Sequence, residues 1–235
     1  MPQPTPKHLD EITAVSADDR VAAELRGFGL VGIAAILVIL AGNLLFSPLS
    51  AVLVLVWVYW SRTPWQEIGY VRPKNWIKTA GVGIVFGVAL KLLMKAIVMP
   101  LLGAPPINQA FHYLAGNRAA IPGALWLMIV VAGFGEETLY RGYMFERLGK
   151  LFGSSIAAKT AIVLITSVIF GLLHYPVQQV AGAEQATITG LVFGTIFAIT
   201  GRIWMLIFAH AAFDLIAHAL IYWNLETSVA HWIFR

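Results

Sequence analysis

Apolar runs long enough to cross a bilayer follow one another along most of this chain. They fall near 27–46, 48–61, 79–102, 121–147, 156–177, 184–201 and 203–223. The hydrocarbon core demands roughly 20 consecutive apolar residues of a spanning helix, and the runs near full length meet that demand. The second run is short, and Ser47-Pro48 before it predicts a tight hairpin. Composition closes off the other folds. Of the 235 residues, 59% are hydrophobic and 12% charged. That is about half the charged share of a soluble domain, so polar side chains are too few to cover a water-soluble globule. A membrane barrel would show many alternating segments of about ten residues, and the runs here are longer and do not alternate. The expected fold is all-α, a polytopic transmembrane helical bundle of about seven spans. An eighth short element fits at 226–235.

Residues 1–26 are polar and mixed in charge, with Pro2, Pro4 and Pro6 near the start. They read as a cytosolic N-terminal tail, helical near Ser16–Arg26, and they show no leader pattern of charged, apolar and small residues. Residues 27–235 read as a single transmembrane helical domain. Loop charges set its orientation. With the N-terminus in the cytosol, Arg62, Arg72, Lys74, Lys78, Lys150, Lys159 and Arg202 all fall on the inner side. Of the 16 Lys and Arg, only Arg118 and Arg235 fall outside, while Lys91 and Lys95 lie within the third span. This is the bias of an integral protein of the inner or plasma membrane. The connector 62–78 mixes Trp65, Tyr70 and Trp76 with four basic residues, which suits anchoring at the headgroups. The net charge of +4 points to membrane lipid as its partner rather than nucleic acid, since no basic-aromatic binding module is present. The chain has no cysteine, which removes disulfides, thiol nucleophiles and thiolate metal sites.

Ionisable groups inside the spans carry the chemistry. Each costs roughly 2.5–3.5 kcal/mol at the bilayer centre on insertion scales, so each needs a partner or a function. Three clusters stand out. In the fourth span, Glu137 and Arg141 stand four residues apart in Glu136-Glu137-Thr138-Leu139-Tyr140-Arg141-Gly142, share a helix face and can pair. Glu136 lies about 100° around the helix, beside Tyr140, and is left without that partner. Burial raises the pKa of a carboxylate toward the range a general base needs. In the fifth span, Phe170-Gly171-Leu172-Leu173-His174 precedes Pro176, whose ring should distort the helix. A lone membrane histidine is more often a packing residue than a catalyst. In the seventh span, His210, Asp214 and His218 follow at steps of four, one polar stripe on an apolar helix. A hydrogen-bonded seam accounts for Asp214 with His218, but three ionisable groups are costly for packing alone.

The set holds no serine nucleophile elbow, no His-Glu-x-x-His helix and no phosphate-binding glycine loop. It suits an activated water rather than a covalent intermediate. Glu136 would take the proton, and the histidines could stabilise an oxyanion, hold the water or bind a metal.

The ordered motifs Glu136-Glu137-x-x-x-Arg141, Phe170-x-x-x-His174 and His210-x-x-x-Asp214 resemble those of the CPBP family. These are the CAAX-protease and bacteriocin-processing intramembrane proteases, also called the Abi family. The connector Ile68-Gly69-Tyr70-Val71-Arg72-Pro73 resembles the one such proteins carry before their core, here about 121–223. The resemblance implies an intramembrane endopeptidase with a cavity open to the cytosolic leaflet, acting on a peptide or protein substrate such as a C-terminal CAAX-like segment. By the same resemblance Glu136 is the water-activating residue and His174, His210 and Asp214 are catalytic. Glu137, Arg141 and Tyr140 have supporting roles. A divalent metal, Zn, on His174 and His210 is the reading of those who class the family as metallo-type. Two other readings compete. One is a non-proteolytic immunity or scaffold protein of the same fold. The other is a proton-coupled transporter, supported by Lys91 and Lys95, whose plain reading is snorkelling. One tension accompanies the protease reading. If the fifth span starts at Ile156, His174 lies about 27 Å along it, near the far interface and away from a Glu136 placed in the cytosolic half.

Overall fold

The computed structural model describes residues 17–45 and 47–234, and among them there is helix but no strand. The prolines at 2, 4 and 6 lie outside the described residues. The chain divides into two compact units, one ending at Pro64 and one starting at Trp65.

The first unit holds α1 (Ala17–Arg26), α2 (Leu30–Leu45) and α3 (Ser47–Ser61). Gly27 and Gly29 separate α1 from α2, which meet at a bend of 63°. The expected hairpin between α2 and α3 is present. A Cβ added at Gly42 would stand 3.0 Å from Leu53 Cδ1, so only glycine lets the two helices approach this closely there. The Trp57 indole N–H donates to the Leu25 carbonyl at 3.0 Å, tying α3 back to α1.

The second unit begins with a short 3₁₀ turn, Trp65–Ile68. It continues through α4 (Trp76–Leu101), α5 (Arg118–Phe152), α6 (Ile156–Thr200) and α7 (Trp204–Tyr222) to α8 (Glu226–Ala230). The starts of α4 and α6 are set by side-chain caps. Asn75 accepts from the Lys78 N–H at 2.9 Å and Ser155 from the Ala158 N–H at 3.1 Å, each satisfying a donor the helix leaves open. The four helices α4 to α7 are long and apolar enough to cross a membrane, and α1 with α2 adds a fifth if that bent pair is one span.

The 45 residues of α6 are not a straight rod. Gln179 interrupts them with φ 56° and ψ −159°, and the chain folds back on itself. A Cβ at Gly190 would stand 3.0 Å from Ser167, and one at Gly194 would stand 3.3 Å from Val163 Cγ1. The two arms are therefore antiparallel, about 34 Å and 31 Å long at 1.5 Å per residue. The reversal falls three residues after Pro176, which itself stays within the helix.

Small residues bring α7 into the middle of this unit. The space a Cβ would need at Gly87 of α4 is filled by the Ala209 backbone, and at Gly133 of α5 the Ala211 Cβ would stand 2.9 Å away. Close backbone approach of this kind is how helices associate in lipid, where apolar burial gives no advantage over contact with acyl chains. Leu90, Met94, Phe193, Phe197, Ile203, Leu206 and Phe213 form the core around it. The α5 helix is wound with wide π-type turns over Leu127–Glu136 and Thr138–Met144, a geometry that recurs at functional sites.

Depth along these helices corrects the tension read from the sequence. Expected to end at 147, α5 runs on to Phe152, so Glu136 lies deeper than its expected place in the cytosolic half. Gly142, Ile68 and Ile203 share one level: a Cβ at Gly142 would stand 3.2 Å from the Ile68 carbonyl and 3.7 Å from Ile203 Cδ1. From that level both Glu136 and His210 lie about 10 Å inward along their helices. Likewise Gly194 meets both Val163 and Phe145; from there Glu136 and His174 lie at depths of roughly 14 Å and 16 Å. His174 is thus level with Glu136.

Candidate active site

Glu137 is the anchor of the cluster. It is fully buried on α5, and one oxygen, Oε1, accepts from two donors. Arg141 Nη1 donates to it at 2.8 Å and His210 Nδ1–H at 2.7 Å. A carboxylate only accepts, so this bond fixes the proton of His210 on Nδ1. The pairing of Glu137 with Arg141 was legible as an i,i+4 spacing, but its grip on His210 was not. Arg141 is held in turn by the Gly190 carbonyl at 3.4 Å and by the faces of Phe170 and Phe193, at 5.2 Å and 5.5 Å. Both arms of α6 are thereby tied to α5.

With Nδ1 committed, His210 turns Nε2 toward two further carboxylates. Glu136 Oε2 and Asp214 Oδ2 each lie 3.7 Å from it. Glu136 Oε2 is buried and has no hydrogen-bond partner among the described residues. Two carboxylates do not share so small a space with an imidazole nitrogen without a proton or a donor between them. A water molecule supplies both donors and an acceptor.

His174 completes the group. Its Nδ1–H donates to the Phe170 carbonyl at 2.7 Å, and its ring rests on the Phe170 edge at 4.5 Å. The same Phe170 ring lies 6.1 Å from the His210 ring, which puts His174 beside the cluster. Tyr140 packs against Phe170, centroids 4.8 Å apart. His218 is buried, and its Nδ1 has no hydrogen-bond partner among the described residues; the expected seam with Asp214 is not formed. Glu136, Glu137, Arg141, His174, His210 and Asp214 are thus brought together, and His218 is left out.

Tyr70 of the connector reaches this region as well. Its hydroxyl donates to Thr138 Oγ1 at 2.6 Å, and Thr138 passes its own proton to the Phe134 carbonyl at 2.6 Å. Burial pushes the Tyr70 phenol up to about 12; the Thr138 bond works against this and the Glu137 charge adds to it. The phenol therefore stays a donor at any ordinary pH. The connector was expected only to anchor at headgroups. The sequence carried no signal for this contact, because its partner lies 68 residues away.

Among the described residues no group of three or more His, Cys, Asp or Glu is placed to hold a metal ion. His210 gives Nδ1 to Glu137 and His174 gives Nδ1 to a carbonyl, which leaves Nε2 of each ring open.

The lysines of the third apolar run do not snorkel. Lys91 and Lys95 are both buried and line a cavity of about 590 Å³. This cavity lies among the last turns of α4, the segment 104–110, the reversal at Gln179 and the end of α7. Glu136, His174, His210 and Asp214 do not line this cavity. A lysine in mid-span was the signal that could have found it.

The apolar helices α4 to α7 mark an integral membrane protein, and within it a buried carboxylate oxygen lies unpartnered beside an imidazole. Residues 118–216 match the family model of type II CAAX prenyl endopeptidases described as Rce1-like. That segment holds all three motifs. No curated protein and no solved structure matches the chain.

Proposed function

We propose that the protein is an intramembrane endopeptidase in which Glu136 activates a water molecule for attack on a peptide bond. The observation that carries this reading is the buried Glu136 Oε2, unpartnered and 3.7 Å from His210 Nε2. A water bridging the two gives one hydrogen to each. Glu136 takes the proton as the oxygen adds to the carbonyl carbon. Glu137 holds a proton on His210 Nδ1 and sets the angle of the ring, so that Nε2 faces the water. The developing oxyanion is met by His174. With Nδ1 committed to the Phe170 carbonyl, Nε2 is the ring nitrogen of His174 left to face the oxyanion. When the C–N bond breaks, Glu136 returns its proton to the leaving nitrogen. Water is thereby divided between the new acid and the new amine. The N-terminus is assigned to the cytosol by the basic connectors.

The test is Glu136→Gln, which keeps shape and removes the base. Purified into detergent, the variant is expected to retain its helical circular dichroism and unfolding temperature while peptide cleavage falls by a factor of about 10³ or more. A Gln variant that cleaves as well as the parent would overturn the reading. A parent that cleaves nothing would favour the scaffold or immunity role.

A further inference from the structure

The cations packed inside the second unit are matched where they stand. Arg141 pairs with Glu137, Arg147 with Glu146, and Lys95 with Glu226 at 2.9 Å. Lys91 donates to the Gln185 amide oxygen at 2.9 Å. At the surface the balance differs. Arg72, Lys74, Lys78 and Arg202 are all exposed, and none of them forms an ion pair among the described residues. The sequence accounts for this. No acidic residue occurs between Glu67 and Glu136, nor between Glu184 and Asp214, and Glu67 already lies 3.7 Å from Lys150.

The fold gathers these charges at one place. The Ile203 N–H donates to the Gly69 carbonyl at 3.0 Å, which lays the connector beside the start of α7. Arg202 adjoins that bond, and Arg72 follows Gly69 by three residues, a reach of at most about 10–11 Å. The Trp204 ring meets Tyr70 at 5.1 Å and Trp76 at 4.9 Å between centroids. Lys74 and Lys78 stand two residues to either side of Trp76. Tyr70 turns its hydroxyl inward to Thr138, whereas Trp76 keeps 42% of its surface exposed. Both α4 and α7 begin here. The patch therefore stands at the ends of two candidate spans, the level at which indoles and basic side chains meet headgroups. We propose that Arg72, Lys74, Lys78 and Arg202, around Trp76 and Trp204, form a binding site for the headgroup of an anionic phospholipid. Charge complementarity selects that occupant. Each cation near an anionic bilayer surface adds attraction, whereas a zwitterionic headgroup brings its own ammonium against the patch. An acidic protein is the other partner such charges could take, but the level of the patch is fixed by spans that only lipid must share. The site needs nothing of the endopeptidase reading, and its test needs no cleavage.

The intact protein is equilibrated in mixed micelles holding equal amounts of phosphatidylglycerol and phosphatidylcholine, and the retained lipid is counted by native mass spectrometry. The parent is expected to retain phosphatidylglycerol over phosphatidylcholine roughly tenfold or more, a preference that falls as salt is raised. The double variant Arg72→Gln with Arg202→Gln is expected to lose most of it. Lys159→Gln, which removes an exposed cation at the start of α6, is expected to keep it. An unchanged unfolding temperature shows that the double variant still folds. Equal retention of the two lipids by the parent, or a preference indifferent to salt, would overturn the proposal. So would a double variant that keeps the preference, or a Lys159→Gln variant that loses as much, since the attraction would then be spread over the whole face. Displacement of the lipid by polyglutamate or by inorganic phosphate at matched ionic strength would assign the patch to an acidic protein or a free anion instead.

Discussion

At the residue scale, the site depends on one carboxylate doing two jobs. Glu137 neutralises Arg141 and orients His210 through the same oxygen, while its other oxygen is buried without a partner. Replacing Arg141 with Met therefore leaves a buried charge held only by an imidazole. Breaking a buried pair in this way costs about 3–5 kcal/mol, and the unfolding temperature in detergent should fall accordingly. Arg141→Lys keeps the charge but gives up the fork that also reaches the Gly190 carbonyl, and is expected to lose less. Equal loss from both would mean that geometry, not charge, is what Arg141 supplies.

At the scale of elements, the hairpin of α6 is what brings His174 into play. Its turn is made by a glutamine in a region of backbone space that is almost confined to glycine. That conformation costs roughly 1–3 kcal/mol in a residue with a Cβ. Gln179→Gly is expected to raise stability by about 1 kcal/mol, less than the full strain because glycine also gains freedom in the unfolded chain; urea or thermal unfolding checks it. The hairpin also marks how far the sequence could be read. Helix identity followed from apolar runs alone, and the pair of runs 156–177 and 184–201 foreshadowed two arms. The end of α5 did not follow, because Phe145–Phe152 is charged and apolar in turn and looks like a loop to a hydropathy count. That misplaced end is what put Glu136 at the wrong depth. The motif residues were legible because charges in spans are rare. Lys91, Glu226 and Tyr70 were undervalued because their partners lie far along the chain, where spacing gives no warning.

At the scale of the whole molecule, the open matter is how many times the chain crosses the bilayer, and the second unit makes the sharper case. If α4, α5, both arms of α6 and α7 each cross, the segments around Lys74, Ser154 and Arg202 share one side. Those around Tyr113, Val180 and Trp223 share the other. The chain contains no cysteine, so single cysteines at these positions can be labelled without background. In intact cells an impermeant maleimide is expected to label Tyr113→Cys, Val180→Cys and Trp223→Cys, and to reach Lys74→Cys, Ser154→Cys and Arg202→Cys only after permeabilisation. The basic connectors demand that order. Tyr113, Val180 and Trp223 are all exposed on the protein surface, so a failure to label them reports the membrane and not burial. Val180 grouping with Ser154 would make α6 a hairpin that enters and leaves by the same face, lowering the count by two. His174, only six residues before Val180, would then sit at the tip of a re-entrant loop.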